Sequence, residues 1–351
     1  MRNLLLNVGL LLTTIVNLTV AQQPFNMTFA VGLLNALNSA GLSSLATAAG
    51  QAVSSTAGQD LVMSLGQGYK TLLAPDNNAI AKVAAVIAAN PGILLPVLQY
   101  HVLEGQFNTS NIAISPSHTI ARSSLNDSTF VNLEGGTPQA VVLTSDGSSA
   151  KVLNQGLQVN ITNSVVAGTL TVLVVDSVLG IPGNITTVLD ATQLKAFQAA
   201  NLIAPLAAAH GMTFFAPVDS ALTSASNTLT AAIWGNHIIN GSTVYSTSLS
   251  QGQYASASGT RFTFTTNSSG TFVTSGQATA KIIQSDVLVQ NGVVHMIDSV
   301  LFNDQTGNQK TVGISGVIST GTSSAMARGV AHTREMLAIA AASVTGMMAI
   351  L

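Results

Sequence analysis

Thr71-Leu72-Leu73-Ala74-Pro75-Asp76-Asn77-Asn78-Ala79-Ile80 returns, with substitutions, as Thr213-Phe214-Phe215-Ala216-Pro217-Val218-Asp219-Ser220-Ala221-Leu222. Each copy lies upstream of a second matched pair, Val174-Val175-Asp176-Ser177-Val178-Leu179 and Met296-Ile297-Asp298-Ser299-Val300-Leu301. Order repeats along with wording, which is the signature of a duplicated structural unit. A chain of 351 residues has room for two domains of about 150 residues, each able to bury a core without a metal or disulfide staple. There is no cysteine, so packing alone must hold the fold and thiol chemistry is excluded.

Thr-Leu-Leu and Thr-Phe-Phe open the phrase as a buried strand, and Pro75 or Pro217 ends it because proline offers no ladder N–H. Asn77 and Asp219, two residues later, are placed to cap the next turn or helix. Upstream, Leu33, Leu34, Leu37, Leu42 and Leu45 recur at helical spacing around Gly41, which predicts a helix, a turn and a second short helix. The partner stretch from Val188 to Leu206 places Asn201 where Gly41 stands, and both residue types tolerate the left-handed conformation that ends a helix. Downstream of the first phrase an alanine-rich helical run, 79–89, leads through Asn90-Pro91-Gly92 to Tyr100-His101. Short alternating segments follow, among them 129–133, 140–143 and 171–175, punctuated by Gly135-Gly136, Asp146-Gly147 and Ala167-Gly168. In the second half 259–264, 270–274 and 293–297 play the same part. Helices first and an antiparallel sheet later predict an α+β domain, repeated across a short join at Ile181-Pro182-Gly183.

Charged residues make up 7% of the chain, and its 11 Lys and Arg are scattered singly. No basic patch is available to neutralise a phosphate backbone, so nucleic acid is not an expected partner. Arg2, the apolar stretch Leu4 to Val20 and Thr19-Val20-Ala21, with small residues at its last and third-last positions, form a secretory signal pattern over residues 1–21, cut after Ala21. At the other end, the small trio Ser323-Ser324-Ala325, a polar spacer and the apolar run 336–351 are the parts of a glycosylphosphatidylinositol signal, with Ser323 the expected attachment residue and Gly321 the second choice. Asn-x-Ser/Thr sites at Asn26, Asn108, Asn126, Asn160, Asn184, Asn240 and Asn267 fit that route, and their glycans would help keep so uncharged a surface soluble.

No Gly-x-Ser-x-Gly elbow, phosphate loop, His-Glu-x-x-His helix or EF-hand spacing occurs, so neither catalysis nor a metal or other cofactor is expected. A Ser-His-Asp site assembled only in space stays open at this level. His118, His210 and His332 have no companions at ligand spacing.

The helix with its Gly or Asn turn, the Thr-x-x-Ala-Pro phrase, a histidine about two dozen residues later and Asn291-Gly292-Val293-Val294-His295-Met296-Ile297-Asp298 resemble the fasciclin (FAS1) domain, over nearly all of residues 27–303. In the first copy the closing motif is degraded, with Val174 expected where His295 stands. The resemblance implies tandem β-wedges packed with helices, in a lipid-anchored surface protein of fungal type. It also implies a role in adhesion, in which a Tyr-His dipeptide takes part. Tyr100-His101 carries that dipeptide, whereas Asn236-His237 has lost the tyrosine. His101 and His237 are therefore adhesion candidates; their competing reading is a histidine whose ring nitrogens bond backbone after the helix. Thr71, Pro75, Asn77, Asp176, Thr213, Pro217, Asp219, His295 and Asp298 read as structural motif residues, the two aspartates accepting turn N–H groups.

The expected map is a signal at 1–21, domains at 22–181 and 182–305, a Ser/Thr/Gly-rich tail at 306–335 and an apolar signal tail at 336–351. The expected function is non-catalytic adhesion, or binding to a surface or matrix protein or glycan, with the membrane reached through the lipid anchor. A glycosylated wall spacer and a small-ligand or carbohydrate-binding module are the alternatives.

Overall fold

A computed structural model describes residues 25–155, 157–191, 206–224 and 230–302. Asn201, the signal stretch, Ser323, Gly321 and both tail segments lie outside them. Domain 1 runs α1 (Met27–Ser39), α2 (Ser43–Ala52), α3 (Thr56–Ser64), β1 (Lys70–Pro75), α4 (Asn77–Ala89), α5 (Leu94–Tyr100), β2 (Val102–Glu104), β3 (Thr119–Arg122), β4 (Ala140–Ser145), β5 (Ala150–Asn154), β6 (Leu157–Ala167) and β7 (Leu170–Val175). Domain 2 continues with α6 (Ile185–Ala191), β8 (Met212–Pro217), α7 (Asp219–Ser224), α8 (Ala231–Gly235), β9 (Ile238–Asn240), β10 (Phe262–Asn267), β11 (Gly270–Ser275), β12 (Ala278–Val289) and β13 (Gly292–Ile297).

The sheets have matching topology. Domain 1 orders its strands β2-β1-β7-β6-β5-β4-β3, and domain 2 orders the counterparts β9-β8-β13-β12-β11-β10. The two phrases are β1 and β8, and both lie parallel to the last strand of their domain, Leu73 beside Leu173 and Phe215 beside His295. The sheet is thus mixed, not antiparallel as expected: the phrase strand belongs inside it and meets β7 or β13 after a long crossover. This register also corrects the alignment of the closing motif. Leu173, not Val174, occupies the place of His295. In domain 1 the sheet curls until a bridge between Leu103 and Ser123 links its two ends.

Local chemistry explains the helix starts. Asn26, Ser55 and Asp76 each accept the N–H of a residue three further on. The cap of α4 is therefore Asp76, and Asn77 is its first helical residue. Asn77 instead reaches back, accepting the Ser44 N–H and donating to the Gly41 carbonyl, both at 2.9 Å. It thereby serves α2, whose own N-cap, Leu42, makes no side-chain bond. Asp219 is likewise the first residue of α7, preceded by Val218. Gly41, at φ +79°, takes the left-handed turn between α1 and α2.

Two strand expectations fail. Residues 129–133 form a turn and loop, because the alternation of Val131 and Leu133 inward with Asn132 outward serves a contact with domain 2. Residue 259 lies in a turn at φ +84°, and the strand starts at Phe262.

In domain 1 one core cluster fills the wedge around Leu73, Tyr100, Leu143 and Leu173, and another lies under the helices around Leu37, Leu45, Leu72 and Val102. Domain 2 repeats the pair. A fifth cluster joins Ala140 and Val142 of domain 1 to Tyr245, Leu288 and Val293 of domain 2. That explains why every residue of β4 is buried, against the alternation of a strand with one wet face. The join is pinned as well. Asn154 Nδ2 donates to the Gly180 carbonyl and Gln155 Nε2 to that of Ile181.

Candidate functional site

Both motif histidines are interior. His101 is 1% exposed; its Nδ1 donates to the Val97 carbonyl at 2.7 Å and its Nε2 accepts the Leu179 N–H at 3.0 Å. His237, at 0%, repeats this with the Ile233 carbonyl and the Leu301 N–H, both at 2.9 Å. Each ring clamps the last turn of a helix to the segment that leaves the final strand of its domain. Only a neutral ring can donate on one side and accept on the other, and burial pushes both pKa values down to about 4. Tyr100 is also 1% exposed, with its hydroxyl donating to the Ala140 carbonyl. The adhesion candidates Tyr100, His101 and His237 thus offer no face to an outside partner, and this corrects the dipeptide reading: its residues are used up in holding backbone.

The remaining motif residues act in pairs. Thr71 donates its hydroxyl to the Gly105 carbonyl and accepts the Phe107 N–H; Thr213 does the same with Ser242 and Val244. Asp176 accepts from Asn160 N–H, and Asp298 from Lys281 N–H. Those donors belong to the neighbouring strands β6 and β12, not to turns as expected.

A gathering of polar groups lies between the domains. β12 bulges between Gln284 and Val287, and Asp286 adopts φ +61° there. That conformation, uncommon outside glycine, carries its carboxylate into the seam. His118 Nδ1 donates to Oδ2 at 2.6 Å, Ser246 N–H to Oδ1 at 2.7 Å and the Ser246 hydroxyl to Oδ2. His295 lies behind, accepting the Asp286 N–H on Nδ1, donating Nε2–H to the Val244 carbonyl and stacking on Phe215. Burial alone would raise the Asp286 carboxyl, but the His118 bond, the nearby His295 and Ser246 outweigh it and hold the group below the usual carboxylate range. Burial lowers His295, against the pull of Asp286.

More of the scarce charge converges on this seam. Arg122 donates to the Tyr245 hydroxyl at 3.2 Å and sits over its ring, 5.1 Å from the centroid. Burial pushes the Tyr245 phenol up to about 12, with the Arg122 cation opposing. Glu134 accepts both N–H and hydroxyl of Thr243, and its side chain fills the space beside Gly211, where any Cβ would collide with it. Asn132, Gln139 and Gln290 add backbone bonds across the seam. Sequence reasoning missed all of these. The available signal was charge scarcity: in a chain with 13 acidic residues, one placed inside an apolar strand, as Asp286 is, calls for a partner.

Chemically the cluster is a latch. In a nucleophilic triad the serine meets the imidazole nitrogen opposite the one held by aspartate. Here Ser285 Oγ approaches the same Nδ1 that faces Asp286, at 3.4 Å, and Ser246 spends its hydroxyl on the carboxylate itself. Among the described residues no group of three His, Asp or Glu could hold a metal ion, and no helix is long and apolar enough to cross a membrane.

The sequon asparagines are all at or near the surface: Asn26, Asn126, Asn160, Asn240 and Asn267 exposed, Asn108 and Asn184 half-buried. Asn160 donates its Nδ2 to Asp176 at 2.7 Å. Asn126 lines an open cleft of about 430 Å³ together with Ala57, Gly92, Leu95, Pro96, Gln99, Asp127, Thr129 and Phe130.

A family model described as the fasciclin domain matches residues 43–182 and 191–303. A protein of Arthroderma benhamiae described as a fasciclin-like arabinogalactan protein is 26% identical over 257 residues, 66% of this chain. The chain spans only 58% of that relative's length. Among solved structures, a FAS1 domain pair from the insect cell adhesion molecule fasciclin I aligns over 79% of this chain and 98% of that one, at 14% identity and a TM-score of 0.35.

Proposed function

Because the chain belongs to the fasciclin family, we propose that it works outside the cell as a non-catalytic adhesion or wall-binding glycoprotein, held at the outer face of the membrane or wall by a lipid anchor at Ser323. The observation that carries this reading is the family match to both halves. The name of the fungal relative supports a surface setting. The cluster of Ser, His and Asp at the seam supports binding over catalysis, because Ser246 spends its hydroxyl on Asp286 and Ser285 meets His118 on the nitrogen that already faces the carboxylate. The partner is a surface or matrix protein or glycan, met through the outer faces of the paired domains, since the dipeptide residues are interior.

A rigid glycosylated spacer is the second reading, favoured by the shared core between the domains. Purified full-length ectodomain, immobilised and exposed to surface extracts, separates the two: saturable capture of one component, competed by free ectodomain, supports adhesion, and capture that never saturates supports the spacer. Phosphatidylinositol-specific phospholipase C is expected to release the protein from intact cells; retention would overturn the anchor.

A further inference from the structure

The cleft around Asn126 joins two features, a concave surface and a sequon asparagine whose side chain is uncommitted. Its walls come from α3 (Ala57), the stretch leading into α5 and that helix itself (Gly92, Leu95, Pro96, Gln99), and the 126–130 loop. At about 430 Å³ it falls within the range of small-ligand pockets, about 300–1,000 Å³. Leu95, Pro96 and Phe130 give it an apolar side, and Gln99, Asp127 and the amide of Asn126 supply polar groups. An apolar surface with a few amide and carboxylate groups suits a neutral sugar, which has carbon-bound faces and a rim of hydroxyls.

Asn126 begins the sequon Asn126-Asp127-Ser128 and is exposed. No hydrogen bond engages its side chain among the described residues, whereas Asn26, Asn108, Asn184 and Asn267 use Oδ1 to hold local N–H groups and Asn160 commits Nδ2 to Asp176. The 126–130 loop is itself fixed. Asp127 accepts the Thr129 N–H, and the Thr129 carbonyl accepts Gln290 Nε2 from domain 2. A sugar on Asn126 therefore starts inside the cleft, on a loop that holds it there.

We propose that Asn126 is N-glycosylated and that the first sugars of its glycan lie in this cleft, packed on Phe130 and Pro96, so that this glycan is part of the folded surface. The proposal rests on the secretory route of the proposed function. Asn267, at the end of β10, is the control, since it and its neighbours 265–269 are all exposed.

The experiment follows release by peptide-N-glycosidase from the native, full-length secreted protein, site by site, by mass spectrometry of tryptic peptides. Arg122 and Lys151 isolate Asn126, and Arg261 and Lys281 isolate Asn267. The expected result is release at Asn126 at least tenfold slower than at Asn267, with the difference lost after denaturation. Gly92→Trp fills the cleft without removing a contact, since nothing lies within 4 Å of a Cβ placed there, and it is expected to bring the Asn126 rate up to that of Asn267. An unchanged thermal midpoint shows that the variant is folded. Equal native rates, an unoccupied Asn126 beside an occupied Asn267, or a folded Gly92→Trp protein that leaves the rate slow would each overturn the proposal while leaving the surface route intact. No glycan at any sequon would overturn both.

Discussion

The two domains share a strand order and a set of clamps, yet they part company at two buried positions. At the residue before the clamping histidine, domain 1 has Tyr100, bonded to the Ala140 carbonyl, and domain 2 has Asn236, whose Oδ1 finds no partner among the described residues. On the last strand, domain 1 has the apolar Leu173 where domain 2 has His295. The residues held in common, Thr71 and Thr213 or His101 and His237, all bond to main chain that the topology requires. The residues that differ make ties of their own copy only, Tyr100 to the Ala140 carbonyl and His295 to the Val244 carbonyl and the Asp286 N–H at the seam. Duplication preserved one set of backbone ties and left these positions free to specialise.

Acid tests the shared half of that comparison most severely. A histidine in the unfolded chain titrates near 6.5, while His101 and His237 titrate at about 4 in the folded protein. Between those values the unfolded chain binds more protons, so stability is full above about pH 6.5 and falls as the pH drops toward 4. Each ring accounts for about 3 kcal/mol of that loss. Urea titrations from pH 8 to 4 are expected to show it, and a His101→Gln/His237→Gln protein that keeps the full slope would break the assignment.

The seam comes next. Asp286→Ala leaves His118 and the Ser246 N–H facing a void and puts a side chain with less tolerance for φ +61° at the bulge. It is expected to cost about 3 kcal/mol and to turn a single calorimetric transition into two, as the domains lose their coupling. Two transitions in the unaltered protein would show that the shared core does not couple them. Thr71→Val and Thr213→Val each remove two bonds from a buried hydroxyl, and each is expected to lower stability by about 1–2 kcal/mol. Unequal losses by denaturant midpoint would show that the copies do not use the pair alike. The smallest effect sharpens the difference between the domains. Tyr100→Phe is expected to lose about 1 kcal/mol, and Asn236→Leu to change stability by less than about 1 kcal/mol in either direction because its carbonyl is already unpaired.

Much of this architecture could be read in advance because it is local or duplicated. Pro75 and Pro217 end strands in any context, Gly41 marks a turn by its own conformational freedom, and the paired phrases announce the repeat. What escaped depends on chain meeting chain. Asn77 has the form of a cap and turned out to serve a helix more than thirty residues upstream, since Asp76 already held the nearer position. Residues 129–133 alternate like a strand, and Val131 and Leu133 do enter the domain 1 core, but the backbone of Asn132 bonds Gln290 and Gly211 of domain 2 in place of a neighbouring strand. His118 appeared solitary because its partner lies 168 residues away, on a bulge that no propensity announces. Tyr100 and His101 were legible as a pair but not as interior, because a Tyr-His dipeptide reads alike whether it points out or in.

The central placement of the closing strands bears on how the molecule would carry load. β13 is flanked by β12 on one side and β8 on the other. A pull on the chain beyond residue 302 cannot peel it from a rim one bond at a time, as it could an outermost strand. It must drag β13 lengthwise past both neighbours, so the ladder bonds on either flank resist together in shear. His237, bonded to the Leu301 N–H, is the first rivet that such tension would meet.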